Sequence, residues 1–543
     1  MPQADTDMAS SLPYTALLFM ALSLHAADPV ILRIEDRVLH AVPGDIFGQF
    51  LERPSWGGEA GPENVCAADG RLPETVEQHL AGMHAPLVRF PFGTDGDYLD
   101  WTDMVDQPGR AQRPTSTGYQ GNAVTNRFGF PEYFALADRM HWRTILVTNL
   151  REALYRKKPL AEAAEHAAAL VRYARGKRVA AVQVGNEGWF FWPPKPEERA
   201  ALGVAAPEDS ARWLRTVLCA YADAIRRVDA EVPLICDAPR MPDGEGGEAA
   251  PIWRLAVDHA DIRARYAMLA AHAYAPMGYW NCERDGKKLK FDQLPAKAVW
   301  GAAVSSLGRF DGQGQAVADV RAYDDIARMG FGVAVTEWNW NGWGWKGRFP
   351  QVTFQDGVPA ALGTAGFLHG LMRHPQVRLA TQSMLLGTTW GITAVRVAKD
   401  GSVGYLPQAE VTRLHAEHHG TQVVAAPLDG VAFLAQPPRL TSWWPEVEKL
   451  ADVDAVVTAS AARWHVHVLN RSQEQPRLLR ILLPPSAPAA GSGTMHLLTG
   501  SPEAHTGAAG GIVRRALPIT WTGRCAQVEL PPACVAVVVL GAG

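Results

Sequence analysis

The sequence predicts an α/β fold, a (β/α)8 TIM barrel followed by a C-terminal β-sandwich. Eight short apolar segments alternate with helical segments, after which the chain changes to short alternating strands. The 543 residues suffice for one large barrel and one smaller domain. Parallel strands buried on both faces are almost continuously apolar, and each needs a crossover helix before the next. Eight such units in succession indicate a closed barrel.

The apolar segments give the expected barrel strands. They are Ile46–Glu52, Pro86–Pro91, Arg143–Asn149, Val179–Glu187, Val232–Asp237, Met268–Tyr274, Gly332–Trp338 and Leu379–Leu385. Helical patterns lie between them, with apolar residues three and four positions apart. The clearest are Ala161–Arg175, Ser210–Val228 and Val317–Met329. Chemistry in such barrels takes place at the carboxyl ends of the strands, so polar residues at those ends are the candidates for a site.

Beyond about residue 420 the strands become short and are separated by proline and glycine, which is typical of a β-sandwich. Strands are expected at residues 431–436, 463–472, 477–485, 493–500, 525–532 and 534–540. Residues 28–43 have the same character and are expected to add a strand to the sandwich. The expected domains are therefore the catalytic barrel at 44–420 and the sandwich at 421–543.

Residues 1–27 are expected to be a signal peptide. Ala16–Leu24 is apolar, too short to span a membrane, and followed by the small residues Ala26 and Ala27, which fits a cleavage site. The first ten residues depart from the usual basic start, because they contain two aspartates and neither lysine nor arginine. The pattern predicts a secreted or periplasmic protein with no membrane association after signal removal.

The composition limits the kinds of partner that the protein is expected to bind. Hydrophobic residues make up 47% and charged residues 20%, which indicates a globular chain with a sizeable core. The net charge is −4 and no long basic run occurs, which argues against a nucleic-acid partner. The 18 tryptophans favour a binding site for flat apolar faces such as those of sugar rings. A carbohydrate is therefore the expected partner.

The sequence predicts no metal site and no cofactor. The six cysteines are scattered, without a CxxC pair or a histidine at zinc-ligand spacing. A glycine-rich phosphate loop between a strand and a helix is also absent from the sequence. Cys525 and Cys534 flank Pro531 and Pro532 and are compatible either with a disulfide across a hairpin or with two buried free thiols.

Two glutamates at strand ends point to chemistry. Glu187 lies in QVGNEGW at the end of the fourth strand, and Glu337 lies in VTEWNW at the end of the seventh. Carboxylates on these strands can face each other across the barrel mouth. Glycoside hydrolysis requires such a pair, one to protonate the leaving oxygen and one to attack or to activate water. A single strand-end glutamate is more often a solvated residue or an ion-pair partner.

These motifs resemble those of clan A retaining glycoside hydrolases, and most closely family 51, which consists mostly of α-L-arabinofuranosidases. The resemblance covers nearly the whole chain. It is carried by IFGQFLERPSWGGEAGP, VRFPFGTDGDYLDW, NRFGFPEYFALAD, VQVGNE, AHAY, TEWNW and, in the sandwich, HVLNRS. It implies that Glu187 is the general acid/base and Glu337 the nucleophile of a double displacement. It also permits homo-oligomers.

The resemblance implies further residues that bind the substrate. Asn186 would contact the hydroxyl at sugar C2, Glu52 would contact another hydroxyl, and Tyr274 would orient the nucleophile. Arg89 would keep Glu337 ionised, which is compatible with a structural salt bridge at the barrel mouth. His272 would line the pocket, although a core histidine is an equal alternative.

Tryptophans in the loops after the strands are candidates for sugar subsites, about half of them being ordinary rim packing. Trp189, Trp280, Trp338 and Trp340 are the expected subsite residues, and Trp56, Trp192, Trp343 and Trp345 fall in similar places.

The chain departs from the family pattern at two strand ends. After the second strand the family has Pro-Gly-Gly-Asn, where this chain has Pro91-Phe92-Gly93-Thr94, so Thr94 replaces a sugar-binding amide. On the eighth strand, Met384 and Gly387 stand where the family has Gln and Asn. These changes weaken arabinofuranose as the expected sugar, because polar contacts specify the substrate.

The leading hypothesis is an exo-acting α-L-arabinofuranosidase. One alternative is a clan A β-glycosidase or endo-glycanase that acts on glucan, xylan or galactan. A second alternative is a non-catalytic carbohydrate-binding protein that kept the barrel, which the presence of both glutamates disfavours.

Overall fold

The protein is described by a computed structural model. It describes residues 28–541 except 56–59, 238–247, 276–280, 285–286, 291–295, 306–308, 318–319, 341–356, 389–391, 435–446, 448, 462 and 502–511. The predicted signal peptide and Trp280 lie outside the described residues, as do Trp56, Trp343 and Trp345.

Eight parallel strands form a closed barrel, as the sequence predicts. In chain order they are Gly48–Phe50, Leu87–Phe90, Arg143–Thr148, Val179–Val184, Leu234–Cys236, Met268–Ala275, Gly332–Trp340 and Val377–Ser383. Each pairs with its neighbours in the sequence, and the eighth closes on the first.

The interior of the barrel is filled by apolar side chains, with contributions from seven of the eight strands. This cluster consists of Leu87, Ile145, Ala181, Ile235, Met268, Ala270, Ala334 and Leu379. The first strand contributes Gly48 instead, where a Cβ would lie 2.6 Å from the Ala380 carbonyl oxygen. The barrel is thus a packed core whose carboxyl end alone remains for polar side chains.

Helices surround the barrel. The α-helices are Glu74–Ala81, Phe130–Met140, Arg151–Leu154, Leu160–Tyr173, Pro196–Arg199, Pro207–Val228, Ala249–Val257, Ala260–Arg263, Ala296–Ser305, Val320–Arg328, Val358–Arg373 and Pro407–Glu417. Short 3-10 turns are Gly44–Phe47, Pro62–Asn64, Thr94–Asp97, Trp101–Met104, Tyr119–Gly121 and Gly188–Phe190. Among the described helices, none is both long and apolar enough to cross a membrane.

Three two-stranded sheets and one three-stranded sheet lie in the loops of the barrel. They are Ser116–Thr117 with Ala123–Val124, Asn281–Arg284 with Lys287–Lys290, Arg309–Phe310 with Ala316–Val317, and Leu386–Gly387 with Val395–Val397 and Val403–Tyr405.

The remaining strands form a second, mostly antiparallel sheet of eleven strands, as expected for the sandwich. In spatial order they are Val38–Ala41, Gln422–Val424, Val453–Ser460, Arg463–Asn470, Cys534–Gly541, Ala490–Thr499, Val513–Thr522, Cys525–Leu530, Arg477–Leu482, Val30–Arg33 and Leu428–Asp429. Val30–Arg33 pairs in parallel with Arg477–Leu482, so the chain enters the sandwich before it builds the barrel.

The sandwich differs from the expected strands in five places, two of which are the short additional strands Gln422–Val424 and Leu428–Asp429. Residues 431–436 form no regular strand within their described part, where Phe433 makes a single bridge to Ala451 and is half exposed. Val453–Ser460 and Val513–Thr522 are strands that the apolar pattern did not indicate. The second of them is mostly exposed and contains Pro518, so its sequence lacks the apolar alternation of a half-buried strand.

Cys525 and Cys534 are both free thiols in this structure, but only Cys534 is buried, whereas Cys525 is partly exposed. Cys525 lies opposite Leu482 and Thr522, whereas Cys534 lies opposite Asn470. Cys534 is buried, which raises the pKa of its thiol to about 12.

Candidate active site

Polar residues from the ends of six barrel strands converge at the mouth of the barrel. Glu187, His272 and Glu337 each place one oxygen or nitrogen within 4.8 Å of the others. His272 Nδ1 lies 2.9 Å from Glu187 Oε1 and 3.7 Å from Glu337 Oε2. The structure therefore brings the two predicted catalytic carboxylates together, with an imidazole between them.

His272 is fixed from its other side as well. Its Nε2 lies 3.1 Å from Thr336 Oγ1. Strand pairing is irregular between Ala270 and His272, as in a bulge, which re-aims side chains near many active sites. Burial alone would lower the pKa of His272, but the charges of Glu337 and Glu187 outweigh burial and raise the pKa.

Arg89 lies beneath Glu337 and is fully buried. Its Nη1 donates to Glu337 Oε1 at 2.7 Å, its Nη2 to Asn186 Oδ1, and its Nε to Gln183 Oε1 at 3.1 Å. The guanidinium stacks on the ring of Phe50, at 4.2 Å from the centroid. Arg89 thus links the nucleophile candidate to the asparagine that precedes the acid/base candidate.

Glu337 is held in its ionised form. Its burial raises the pKa, but His272 and Arg89 lower it by charge, and hydrogen bonds from Arg89 and Tyr274 lower it further. The net pKa of Glu337 is below its ordinary value. The Tyr274 hydroxyl donates to Glu337 Oε2 at 2.9 Å and lies 2.7 Å from Ser383 Oγ. Ionisation is what a nucleophilic carboxylate needs.

Glu52 is the third carboxylate of the site. Its burial and the charges of Glu337 and Asp95 raise its pKa well above the ordinary value, despite the opposing charge of Arg89. Gly93 approaches it closely, since a Cβ on Gly93 would lie 2.3 Å from Glu52 Oε1 and 3.4 Å from Glu337 Oε1. The next residue, Thr94, is partly exposed at the start of a 3-10 turn.

Asn186 carries an unused donor. Its Oδ1 accepts from Arg89, but its Nδ2 is buried and has no hydrogen-bond partner among the described residues. A buried unpaired donor costs free energy unless a ligand satisfies it. This amide is therefore available to a hydroxyl in the barrel mouth.

The predicted tryptophans separate into two groups. Trp189 is partly exposed and packs edge-on against the His272 ring at 5.6 Å, so it lies beside the site. Trp338 and Trp340 are fully buried among the surrounding helices. Trp338 packs on Phe367, and Trp340 Nε1 donates to the Ala303 carbonyl. The expectation that these two line a sugar subsite is corrected, because side chains turned toward the outer helices cannot contact a ligand in the mouth.

Sequence reasoning missed four residues of the site. Gln183 and Ser383 brace Arg89 and Tyr274, and Asp97 and Asp237 bind the backbone on either side of Glu187. Gln183, Ser383 and Asp237 lie at strand ends, which was the signal that could have found them, whereas Asp97 lies in a 3-10 turn after the second strand. Met384, by contrast, is fully buried.

Glu187, His272 and Glu337 are also the described residues best placed to hold a metal ion. The predicted absence of a metal stays a prediction. Within the described chain, these groups are already paired with one another, with Arg89 and with Tyr274.

The fold is shared with solved glycoside hydrolases, although no protein-family model and no curated protein sequence matches the chain. An α-L-arabinofuranosidase from Thermotoga maritima, solved with arabinose, is 17% identical with a TM-score of 0.68, over 94% of this chain and 100% of that one. A family 51 α-L-arabinofuranosidase from Bifidobacterium longum is 17% identical with a TM-score of 0.66, over 95% and 100%. A bifunctional glucanase-xylanase from a metagenome library is 12% identical with a TM-score of 0.56, over 95% and 99%. The chain therefore has the barrel-and-sandwich fold of the family 51 α-L-arabinofuranosidases, as its motifs predicted.

Proposed function

We propose that the protein is a retaining glycoside hydrolase in which Glu337 is the nucleophile and Glu187 the general acid/base. The observation that carries the proposal is the spacing of the two glutamates, which each place an oxygen within 4.8 Å of the other. Retaining enzymes have carboxyl groups about 5–5.5 Å apart, whereas inverting enzymes need about 6.5–9.5 Å to admit water.

The first step would form a covalent glycosyl ester. Glu337, ionised beside Arg89 and His272, attacks the anomeric carbon as Glu187 gives its proton to the glycosidic oxygen, and the bond to the leaving group breaks. The unpaired Asn186 amide would donate to the hydroxyl at C2, where binding strengthens in the transition state.

The second step would release the sugar with its configuration retained. Glu187, now a carboxylate, takes a proton from water, and the resulting hydroxide attacks the anomeric carbon and displaces Glu337. His272, hydrogen-bonded to Glu187, would hold the carboxylate over the bond in both steps.

Within this class we propose terminal α-L-arabinofuranosyl residues as the substrate. The family 51 motifs and the fold shared with arabinofuranosidases support this choice. The second candidate is a β-glycosidase or endo-glycanase of the same clan, which the shared fold with a glucanase-xylanase and the altered residues Thr94 and Met384 favour.

The test is a hydrolysis screen of aryl α-L-arabinofuranoside, β-D-galactofuranoside, β-D-xyloside and β-D-glucoside, with glucan, xylan and galactan chains added. Glu187→Ala and Glu337→Ala should abolish any activity found, whereas Glu165→Ala, at an exposed helix position, should not. Nuclear magnetic resonance of the first-formed product should show the retained anomer. An inverted product would contradict the mechanism, and mutant-sensitive activity on another sugar only would move the substrate. Binding without cleavage on all substrates would favour the carbohydrate-binding alternative.

A further inference from the structure

The turn that carries Glu187 has an unfavourable backbone. Glu187 has φ of 48° and ψ of 37°, which is the left-handed region, and Gly185 two residues earlier has φ of 84°. Side chains other than glycine seldom adopt this conformation unless the surroundings enforce it. Something must therefore hold the segment from Gly185 to Gly188 in place.

Asp237 holds this turn from one side. It follows the fifth barrel strand and is fully buried. Its Oδ2 accepts the Gly188 N–H at 2.7 Å, and its Oδ1 has no hydrogen-bond partner among the described residues. The ring of Trp253 closes the same side, because a Cβ on Gly188 would lie 2.6 Å from it.

Asp97 holds the turn from the other side. Its Oδ2 accepts the Asn186 N–H at 3.3 Å. Its Oδ1 accepts the N–H groups of Leu150 and Arg151, at 2.8 and 3.1 Å, which follow the third strand. Asp97 therefore ties the fourth strand end to the third through three backbone bonds.

Both carboxylates are placed where burial opposes their charge. Burial raises the pKa of Asp97 to about 7, although three backbone hydrogen bonds lower it. Burial likewise raises the pKa of Asp237 to about 7, against the hydrogen bond from Gly188 and the charge of His272. Buried acids of this kind are uncommon in a barrel core unless they perform a role there.

We propose that Asp97 and Asp237 are positioning residues that clamp the backbone on both sides of Glu187 and so aim its carboxylate at the glycosidic oxygen. The inference rests on the proposed glycoside hydrolase function. Among the described residues, the side chain of Glu187 also makes a 2.9 Å contact with His272, which fixes its tip but not its backbone. The clamp and the histidine together determine the direction of proton transfer.

Loss of the clamp formed by Asp97 and Asp237 should have an effect that general destabilisation of the fold would not produce. A misaimed acid slows the cleavage of poor leaving groups, which need a proton, much more than that of good leaving groups, which do not. The probes are the methyl and 2,4-dinitrophenyl glycosides of the sugar that the native protein cleaves. For Asp237→Ala and Asp97→Ala, we expect kcat/KM for the methyl glycoside to fall roughly 100-fold, and for the dinitrophenyl glycoside less than about fivefold.

Azide provides a second readout. It attacks the glycosyl ester without a general base, so it should accelerate turnover of the dinitrophenyl glycoside in both alanine variants and not in the native protein. Thermal unfolding of each variant shows whether it is folded. If an alanine variant does not fold, Asp97→Asn carries the test, because it should show the same selective loss on the methyl glycoside and the same response to azide.

The asparagine variants separate the two aspartates. Asp237→Asn keeps an oxygen for the Gly188 N–H, so its activity on the methyl glycoside should recover to within about fivefold of the native value. Asp97→Asn should stay impaired, because its amide nitrogen would face one of three backbone N–H groups. Asp95→Asn is the matched control, since that buried carboxylate binds Ser55 and Tyr119 instead, and it should change both substrates by the same factor.

Equal losses on both substrates in Asp97→Ala and Asp237→Ala, or no response to azide, would overturn the inference. A native protein that cleaves no glycoside would instead refute the proposed function. The two failures are therefore distinguishable.

Discussion

The protein has two buried clusters that combine acidic, basic and imidazole groups, and they lie in different parts of the fold. One is the barrel mouth, where Glu337 meets Arg89 and His272. The other lies between barrel and sandwich, where Asp454 meets His369 and Arg471 at 2.7 and 3.3 Å. Both combine a carboxylate with a guanidinium and an imidazole, and these side chains are almost inaccessible to solvent.

The clusters differ in how completely their charges are balanced. Asp454 is one carboxylate that also accepts from Arg373 and from the Ala316 N–H, so its pKa stays well below the ordinary value despite burial. The mouth crowds Glu52, Glu187 and Glu337 around Arg89 and His272.

This difference indicates that the Asp454 cluster stabilises the folded protein, whereas the cluster at the barrel mouth is arranged to bind a ligand. The Asp454 carboxylate finds several partners within the protein, although His369 Nε2 and Arg471 Nε have none among the described residues, and removing one partner of a buried charge pair is costly. An excess of carboxylate and an unpaired amide on Asn186 leave the mouth incomplete until a substrate supplies hydroxyl groups. Functional sites commonly sacrifice stability in this way.

The largest expected effect is the loss of activity in Glu337→Gln. Removing the nucleophile should lower kcat by about 10,000-fold or more, because an amide cannot form the glycosyl ester that the carboxylate forms. The free energy of unfolding should fall by less than about 2 kcal/mol: buried Arg89 loses its ion-pair partner, but the repulsion between Glu337 and Glu52 is relieved. Steady-state kinetics and urea unfolding measure the two quantities. A loss of several kcal/mol would remove the contrast between the clusters.

Asp454→Asn should show the opposite pattern. It leaves Arg471 and Arg373 without their shared carboxylate, which should lower the free energy of unfolding by about 3–5 kcal/mol. Turnover of the folded protein, measured well below its unfolding temperature, should remain near the native value. A large fall in kcat with unchanged stability would show that this cluster is part of the site.

The two clusters should also respond to pH in opposite directions. The pKa of Asp454 is lowered in the folded state, so its contribution to stability is present above about pH 3.8 and is lost as the pH falls below that. The pKa of Glu52 in the folded state is raised well above 4.5, so the unfolded state loses this proton at a lower pH than the folded state does. The free energy of unfolding should therefore decline as the pH rises above about 4.5.

Glu52→Gln tests this expectation. The gain in unfolding free energy relative to the native protein should be larger at pH 8 than at pH 4, because the native folded state must ionise or keep protonated a carboxyl group whose pKa is raised by burial and by neighbouring carboxylates. Urea unfolding of both proteins across this range gives the difference, and Glu165→Gln serves as an exposed control. A gain that does not depend on pH would mean that Glu52 titrates normally.

The smallest expected effect is that of Ser383→Ala. This change removes the hydroxyl that lies 2.7 Å from the Tyr274 oxygen. Ser383 acts on Glu337 only through Tyr274, whose hydroxyl donates to Glu337. A hydrogen bond of this kind contributes about 1 kcal/mol, so kcat/KM should fall about fivefold. Tyr274→Phe, which removes the direct bond to Glu337, should reduce it further. An effect of Ser383→Ala larger than that of Tyr274→Phe would require another role for the serine.

The periodicity of the sequence was sufficient to predict the barrel, because buried parallel strands and their crossover helices leave an apolar pattern that local reading can follow. All eight strands lie where apolar runs indicated them, with ends shifted by a few residues. The sandwich was predicted less fully, since an exposed strand such as Val513–Thr522 buries too little to leave that pattern.

The sequence by itself determined which residues end the barrel strands, and therefore that Glu187, Glu337, Arg89 and His272 meet at one mouth. Only the tertiary structure decided which side of each strand faces inward. It turned Trp338 and Trp340 toward the helices, and it placed Asp97 and Asp237 against the backbone of the Glu187 turn. The local apolar pattern of the sequence shows which residues end each strand. The direction of a side chain and its backbone contacts depend instead on bulges, positive φ angles and neighbours distant in sequence.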